Sequence, residues 1–132
     1  MKLLISLSAR KLPSWWGKDA GGFAEGLTEG EVILDWLKRS KVVKENGKYV
    51  FYHGTPKTNH LTELHSGSLL ETTPEDAAAF ATHNRGLKIT SAVVIKLLLD
   101  PQDIYVGHWA SLREVYKIEP NRTHPLSFYS KQ

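Results

Sequence analysis

His53 stands near the end of the stretch GKYVFYHGTP, residues 47–56. Strand-forming residues run straight into an imidazole, followed by Gly54, the hydroxyl of Thr55 and Pro56. A neutral imidazole at a strand end can bind a sugar hydroxyl with one nitrogen while the protein holds the other. Gly54 lets a ligand approach the backbone closely. A hairpin-end histidine can equally be tied into the core or solvated, so its neighbours must carry the assignment. Glu114, in SLREVYKI, puts a carboxylate at the start of a short, otherwise apolar strand. Pairing with Arg113 or Lys117 is its structural alternative, and Glu119 at the other end of that strand is the competing acid. Thr72-Thr73 forms a third element: one hydroxyl is accounted for as a helix cap, and the other faces the strand end. The remaining acids lie mostly in polar runs or first helical turns, where solvation or capping accounts for them.

Other chemistries fall away. The chain has no cysteine, which excludes disulfides, zinc–thiolate sites and a Cys nucleophile. His60, His65, His83, His108 and His124 show no paired spacing beside an acid, so no metal is expected. There is no Gly-x-Gly-x-x-Gly, no Walker loop and no nucleophilic Ser elbow. The aromatics Trp15, Trp16, Tyr52, Tyr105 and Trp109 suit a core or a ligand platform. At 132 residues, 41% apolar and 23% charged, the chain reads as one soluble globular domain. No apolar run approaches a membrane span, so no membrane partner is expected. MKLLISLSAR is too short in its apolar part for a signal peptide and reads as a first strand. The net charge of +3 permits an anionic partner without requiring one. The basic residues look scattered along the chain, so single-stranded nucleic-acid binding ranks last among the readings.

These residues need elements to position them. Residues 10–30 read as a Gly-rich loop with embedded aromatic anchors. Thr28 and Glu31 form a capping-box pattern, and Val32, Ile33, Trp36 and Leu37 share a helical face, which predicts a helix over 29–39. Asn46-Gly47 lies between two strand-forming runs and predicts a tight hairpin. It should pair Val42-Val43 with the strand 49–52 and leave His53 at that strand's exit. A short strand is expected near 69–72. Thr73-Pro74-Glu75-Asp76 then opens a helix that should stop at Arg85-Gly86. SAVVIKLLLD predicts a central strand broken by Pro101. DIYV and REVYKI read as short strands, and residues 120–132 as coil. The whole is α+β, with two principal helices and no βαβ rhythm.

The stretches WLKRSKVVKENGKYVFYHGTP and SLLETTPEDAAAFA together resemble the ADP-ribosyltransferase-like domains of phage and prophage polyproteins. Those domains read as a Trp-containing helix, Ser-Lys-Val-Val, Asn-Gly, a strand and Tyr-His-Gly-Thr. A second segment follows, in which a strand ends in Ser or Thr before a Pro/acid-capped helix. The resemblance covers residues 34–118 and is most specific over 36–55. Residues 1–30 are an N-terminal extension without a counterpart.

The resemblance implies an ADP-ribosyltransferase-like fold, with two small packed β-sheets around an NAD cleft and flanking helices. NAD would be a substrate, with no metal. His53 would bind an NAD ribose hydroxyl, and the Gly54 backbone the nicotinamide amide. Thr72 or Thr73 matches the second-motif hydroxyl, whereas Leu70 stands near the place of the family's stacking Tyr. Glu114 matches the acid that stabilises positive charge at the anomeric carbon, making Glu114 and His53 the catalytic candidates. Thr55 and Tyr52 flank the cofactor-binding set. Arg85, with Lys57 and Lys88, could serve the pyrophosphate. Leu112 stands where a two-acid version would place a second acid or Gln. The implied function is mono-ADP-ribosyl transfer to a macromolecular acceptor: a host protein, or nucleic acid as acceptor. The implied setting is the host cytoplasm, as a phage effector or anti-CRISPR protein. The alternative is a module of the same fold that binds NAD, ADP-ribose or a host protein without turnover.

Overall fold

The computed structural model describes residues 28–56, 67–84, 86, 88–107 and 127–131. The expected first strand in MKLLISLSAR, the loop over residues 10–27 and the strand REVYKI lie outside them.

Helix α1, Glu29–Arg39, starts at the expected cap. The Thr28 hydroxyl accepts from the Glu31 N–H at 3.3 Å, and the Glu31 carboxylate accepts from the Thr28 N–H at 2.9 Å. This reciprocal pair satisfies two of the donors that a helix start leaves open. Val32, Ile33 and Leu37 are buried on one face, and Trp36 packs beside them. Lys38 and Arg39 in the last turn complement the helix dipole.

Asn46 and Gly47 both hold positive φ, 54° and 78°, as a tight primed turn requires. The turn joins β1, Lys44–Glu45, to β2, Lys48–Pro56. Two details depart from the sequence reading. The paired residues are Lys44↔Tyr49 and Glu45↔Lys48. Val43 contributes its carbonyl to Val50 N–H at 2.9 Å, while Val42 packs against the core. In addition, His53 is not at the strand exit. The ladder with β4, Ala92–Leu99, continues past it through Gly54↔Val94 to Pro56↔Ala92, so His53 is held well inside the strand.

The first sheet has the order β1-β2-β4 and is antiparallel throughout. The expectation of a central strand at SAVVIKLLLD is corrected: β2 is the centre, and β4 is an edge among the described residues. Its apolar run suggested burial on both faces, yet Val94, Lys96 and Leu98 alternate outward and are exposed. The second sheet has the order β3-β6-β5. It is built from β3, Leu69–Leu70, β5, Ile104–Gly107, and β6, Ser127–Ser130. The expected coil over 120–132 gives way at Ser127–Ser130, the middle strand of this sheet. Phe128, Tyr129 and Ser130 are buried there. Two prolines upstream suggested a loose tail, but pairing on both edges holds the segment in place.

The sheets meet over Phe51 and Phe128, whose ring centroids are 5.0 Å apart. Fully burying a Phe stabilises by about 1.5–3 kcal/mol, and aromatic contact adds to that. The bridge Tyr52↔Glu71 joins the sheets through two backbone hydrogen bonds of 2.8 Å. Glu29 on α1 is buried and pairs with Lys131 at 3.2 Å, tying the start of α1 to the residue after β6.

Helix α2, Pro74–Ala79, is capped by Thr73, whose hydroxyl accepts from Asp76 N–H at 3.1 Å. The continuous helix expected to residue 84 instead widens into a π turn, Phe80–Asn84. The Thr82 hydroxyl donates to the Ala78 carbonyl at 2.9 Å within this turn, a competing bond of the kind that bends helices. Gly86 follows with φ of 70°. No described helix is long and apolar enough to cross a membrane.

Candidate functional site

β2 carries most of the sequence-predicted residues, and its pleat divides them. Phe51, His53 and Thr55 fall on one face; Val50, Tyr52 and Gly54 fall on the other. Both faces are covered along the second half of the strand. The first meets the second sheet, and the second meets α2, so 53–55 are all buried.

His53 is only 5% exposed. Its Nδ1 lies 2.8 Å from the Leu69 carbonyl oxygen. A carbonyl can only accept, so Nδ1 carries the hydrogen, and in the neutral ring Nε2 is then an acceptor. This polarity is compatible with a donating sugar hydroxyl. The hairpin register and the β2–β4 ladder fix where His53 stands, and β3 fixes its tautomer. Thr55 is buried on the same face, 2% exposed.

Gly54 has a structural explanation beside any role toward a ligand. A Cβ built on it would lie 2.1 Å from the Ala77 carbonyl oxygen and 3.0 Å from the Ala81 Cβ. The close approach expected from a ligand is made on this side by α2 itself. Small residues at 54, 77 and 81 let the helix lie directly on the strand.

Thr73 is the helix cap, and Thr72 is half-buried between the bridge residue Glu71 and that cap. Tyr52 is half-buried and stands opposite Lys96 on β4. The Lys96 ammonium holds the Glu45 carboxylate at 2.7 Å, and this hydrogen bond is the main cause of its raised pKa. Lys88 is exposed. Glu114, Arg85 and Lys57 lie outside the described residues, as do Trp15, Trp16 and Trp109. The structure thus splits the predicted set: His53 and Thr55 share one face of β2, Tyr52 and Gly54 lie on the other, and the Tyr52↔Glu71 bridge brings the Thr72-Thr73 pair alongside β2.

The sequence reading passed over Glu71, grouping it with acids explained by solvation or capping. It lies in neither setting. Its backbone is pinned to Tyr52, one residue from His53, and its side chain is half-buried on the Tyr52 face. The carboxyl has no hydrogen-bond or ion-pair partner among the described residues. Burial, and then the nearby charge of Asp76, push its pKa from the usual 4.5 to about 7. The signal available in the sequence was an acid directly after an apolar strand pair and two residues before the capping Thr73, in LLETTP. Among the described residues no group of three or more His, Asp or Glu is placed to hold a metal ion.

Chemically, the His53 face holds a buried imidazole whose tautomer is set by the Leu69 carbonyl. The opposite face offers a carboxyl that exchanges its proton near neutrality. No family model, no curated protein and no solved structure matches the chain.

Proposed function

We propose that the chain is an ADP-ribosyltransferase-fold protein that binds NAD through His53 and transfers ADP-ribose to a macromolecular acceptor. The observation that carries the reading is the bond from His53 Nδ1 to the Leu69 carbonyl. It supports the reading because it gives the other ring nitrogen acceptor character, which a donating ribose hydroxyl can match. Two small antiparallel sheets meeting at this residue agree with the architecture that the HGT motif implies. Cleaving the nicotinamide–ribose bond builds positive charge at the anomeric carbon, which calls for a carboxylate and an oriented sugar. In this reading Glu114 supplies the carboxylate and His53 the orientation.

The test is incubation of the purified chain with NAD labelled in its adenylate half, alone and with bacterial lysate, while released nicotinamide is measured. Label on an acceptor, together with nicotinamide release that Glu114→Gln abolishes, is the expected result. His53→Asn should weaken NAD binding while preserving the circular dichroism spectrum. Absence of both NAD binding and nicotinamide release in the parent chain refutes the proposal. A second reading, a module of this fold that binds without turnover, is favoured by the near-complete burial of His53 and Thr55. It predicts NAD or ADP-ribose binding by calorimetry with no label transferred.

A further inference from the structure

Residues 38–48, KRSKVVKENGK, hold five cations and one acid, a net of +4 against +3 for the whole chain. The fold concentrates this charge at the end of α1 and on the β1–β2 hairpin. Nearby carboxylates are already engaged. Asp35 holds Arg39 at 3.0 Å, Asp100 holds Lys48 at 3.0 Å, and Glu45 holds Lys96 at 2.7 Å. Lys38, Lys41 and Lys44 are exposed, and no carboxylate among the described residues pairs with them. The Lys44 ammonium rests over the Tyr49 ring, 5.0 Å from its centroid.

The same segment has an edge that no described strand pairs. Val43 accepts from Val50 N–H, and Lys44 stands opposite Tyr49. In an antiparallel ladder bonded pairs alternate with non-bonded ones. Lys44 is therefore a non-bonded position, with its N–H and C=O directed away from β2. Among the described residues β1 is the outer strand of the order β1-β2-β4, and no described strand takes these groups. Beside them Val43 is 59% exposed, the most exposed large hydrophobic residue among those described.

We propose that the outer edge of β1 docks an extended acidic segment of a partner protein, which adds to the sheet as a further strand. Three features need satisfying together: a main-chain donor and acceptor at Lys44, unneutralised lysines around it, and an apolar side chain at Val43. An extended peptide with acidic and apolar residues satisfies all three, by backbone pairing, ion pairing and apolar contact. A phosphodiester chain satisfies the charge alone. A second copy of this edge would bring the same lysines together, which edge lysines are suited to prevent.

The probe is a fluorescein-labelled eight-residue peptide alternating Glu and Val, followed by anisotropy on the full chain, with an oligothymidylate of equal charge as comparison. The peptide should bind more tightly than the oligothymidylate. Lys41→Glu with Lys44→Glu should weaken peptide binding by about tenfold or more, and so should N-methylation of alternate peptide amides. Thr90→Glu, at an exposed position outside the hairpin, should leave it unchanged. The Lys44 amide should gain protection from hydrogen exchange when the peptide is added. Tighter binding of the oligothymidylate overturns the proposal in favour of nucleic acid. Equal binding of the N-methylated peptide overturns strand addition, and failure of the parent peptide to bind overturns the docking site.

Discussion

Replacing Glu71 by Gln should stabilise the protein at neutral and alkaline pH and not in acid. The Glu71 carboxyl holds its proton up to about pH 7 in the folded chain, against a usual 4.5, because burial and Asp76 disfavour its charge. Between these values the unfolded chain has released a proton that the folded chain still binds. Stability therefore falls as pH rises through that window, is fully present below about 4.5 and is lost above about 7. A tenfold change in proton affinity corresponds to about 1.4 kcal/mol, which sets an upper bound of roughly 3.5 kcal/mol for the whole window. The side chain is only half-buried, so water screens it, and about 1–2 kcal/mol is the reasonable share. Glutamine keeps the shape and removes the titration. Urea unfolding of parent and variant at pH 4, 6 and 8 measures the difference directly. The variant should gain about 1–2 kcal/mol at pH 8 relative to its difference at pH 4, equivalent to about 3–8 °C in melting temperature for a chain of this size. A difference between the two proteins that stays flat from pH 4 to 8 would refute the placement of Glu71 as a desolvated acid.

Gly54→Ala should destabilise by about 3 kcal/mol, the upper end for overpacking, because its Cβ meets the Ala77 carbonyl. Chemical denaturation reads this, and a loss of NAD binding without a loss of stability would argue instead for a ligand at Gly54. Lys131→Met leaves the Glu29 carboxylate buried without its ammonium and should cost about 2–3 kcal/mol, visible as a lower melting temperature at pH 7. Thr73→Ala removes the α2 cap and should cost about 1 kcal/mol, with faster hydrogen exchange at the Asp76 amide.

Local chemistry was legible in the residues themselves. The Thr28–Glu31 capping box, the α1 apolar face, the Asn46-Gly47 turn and the Thr73-Pro74 helix start each depend on neighbours within a few positions. The sequence alone determined these, because capping, helical periodicity and positive φ are properties of short segments. It also singled out His53 as a residue whose context called for an explanation. Tertiary structure decided whatever depends on distant partners. β6 is central because β3 and β5 pair with it from both sides, which the prolines before it do not reveal. Among the described residues β2 is the centre of the first sheet because it pairs with the hairpin strand on one side and β4 on the other. Gly54 is small because Ala77, across a helix turn packed on the strand, leaves no room for a methyl group. The tautomer of His53 follows from a carbonyl 16 residues away, and the proton affinity of Glu71 follows first from burial and then from Asp76; the burial is set by packing that no local pattern encodes.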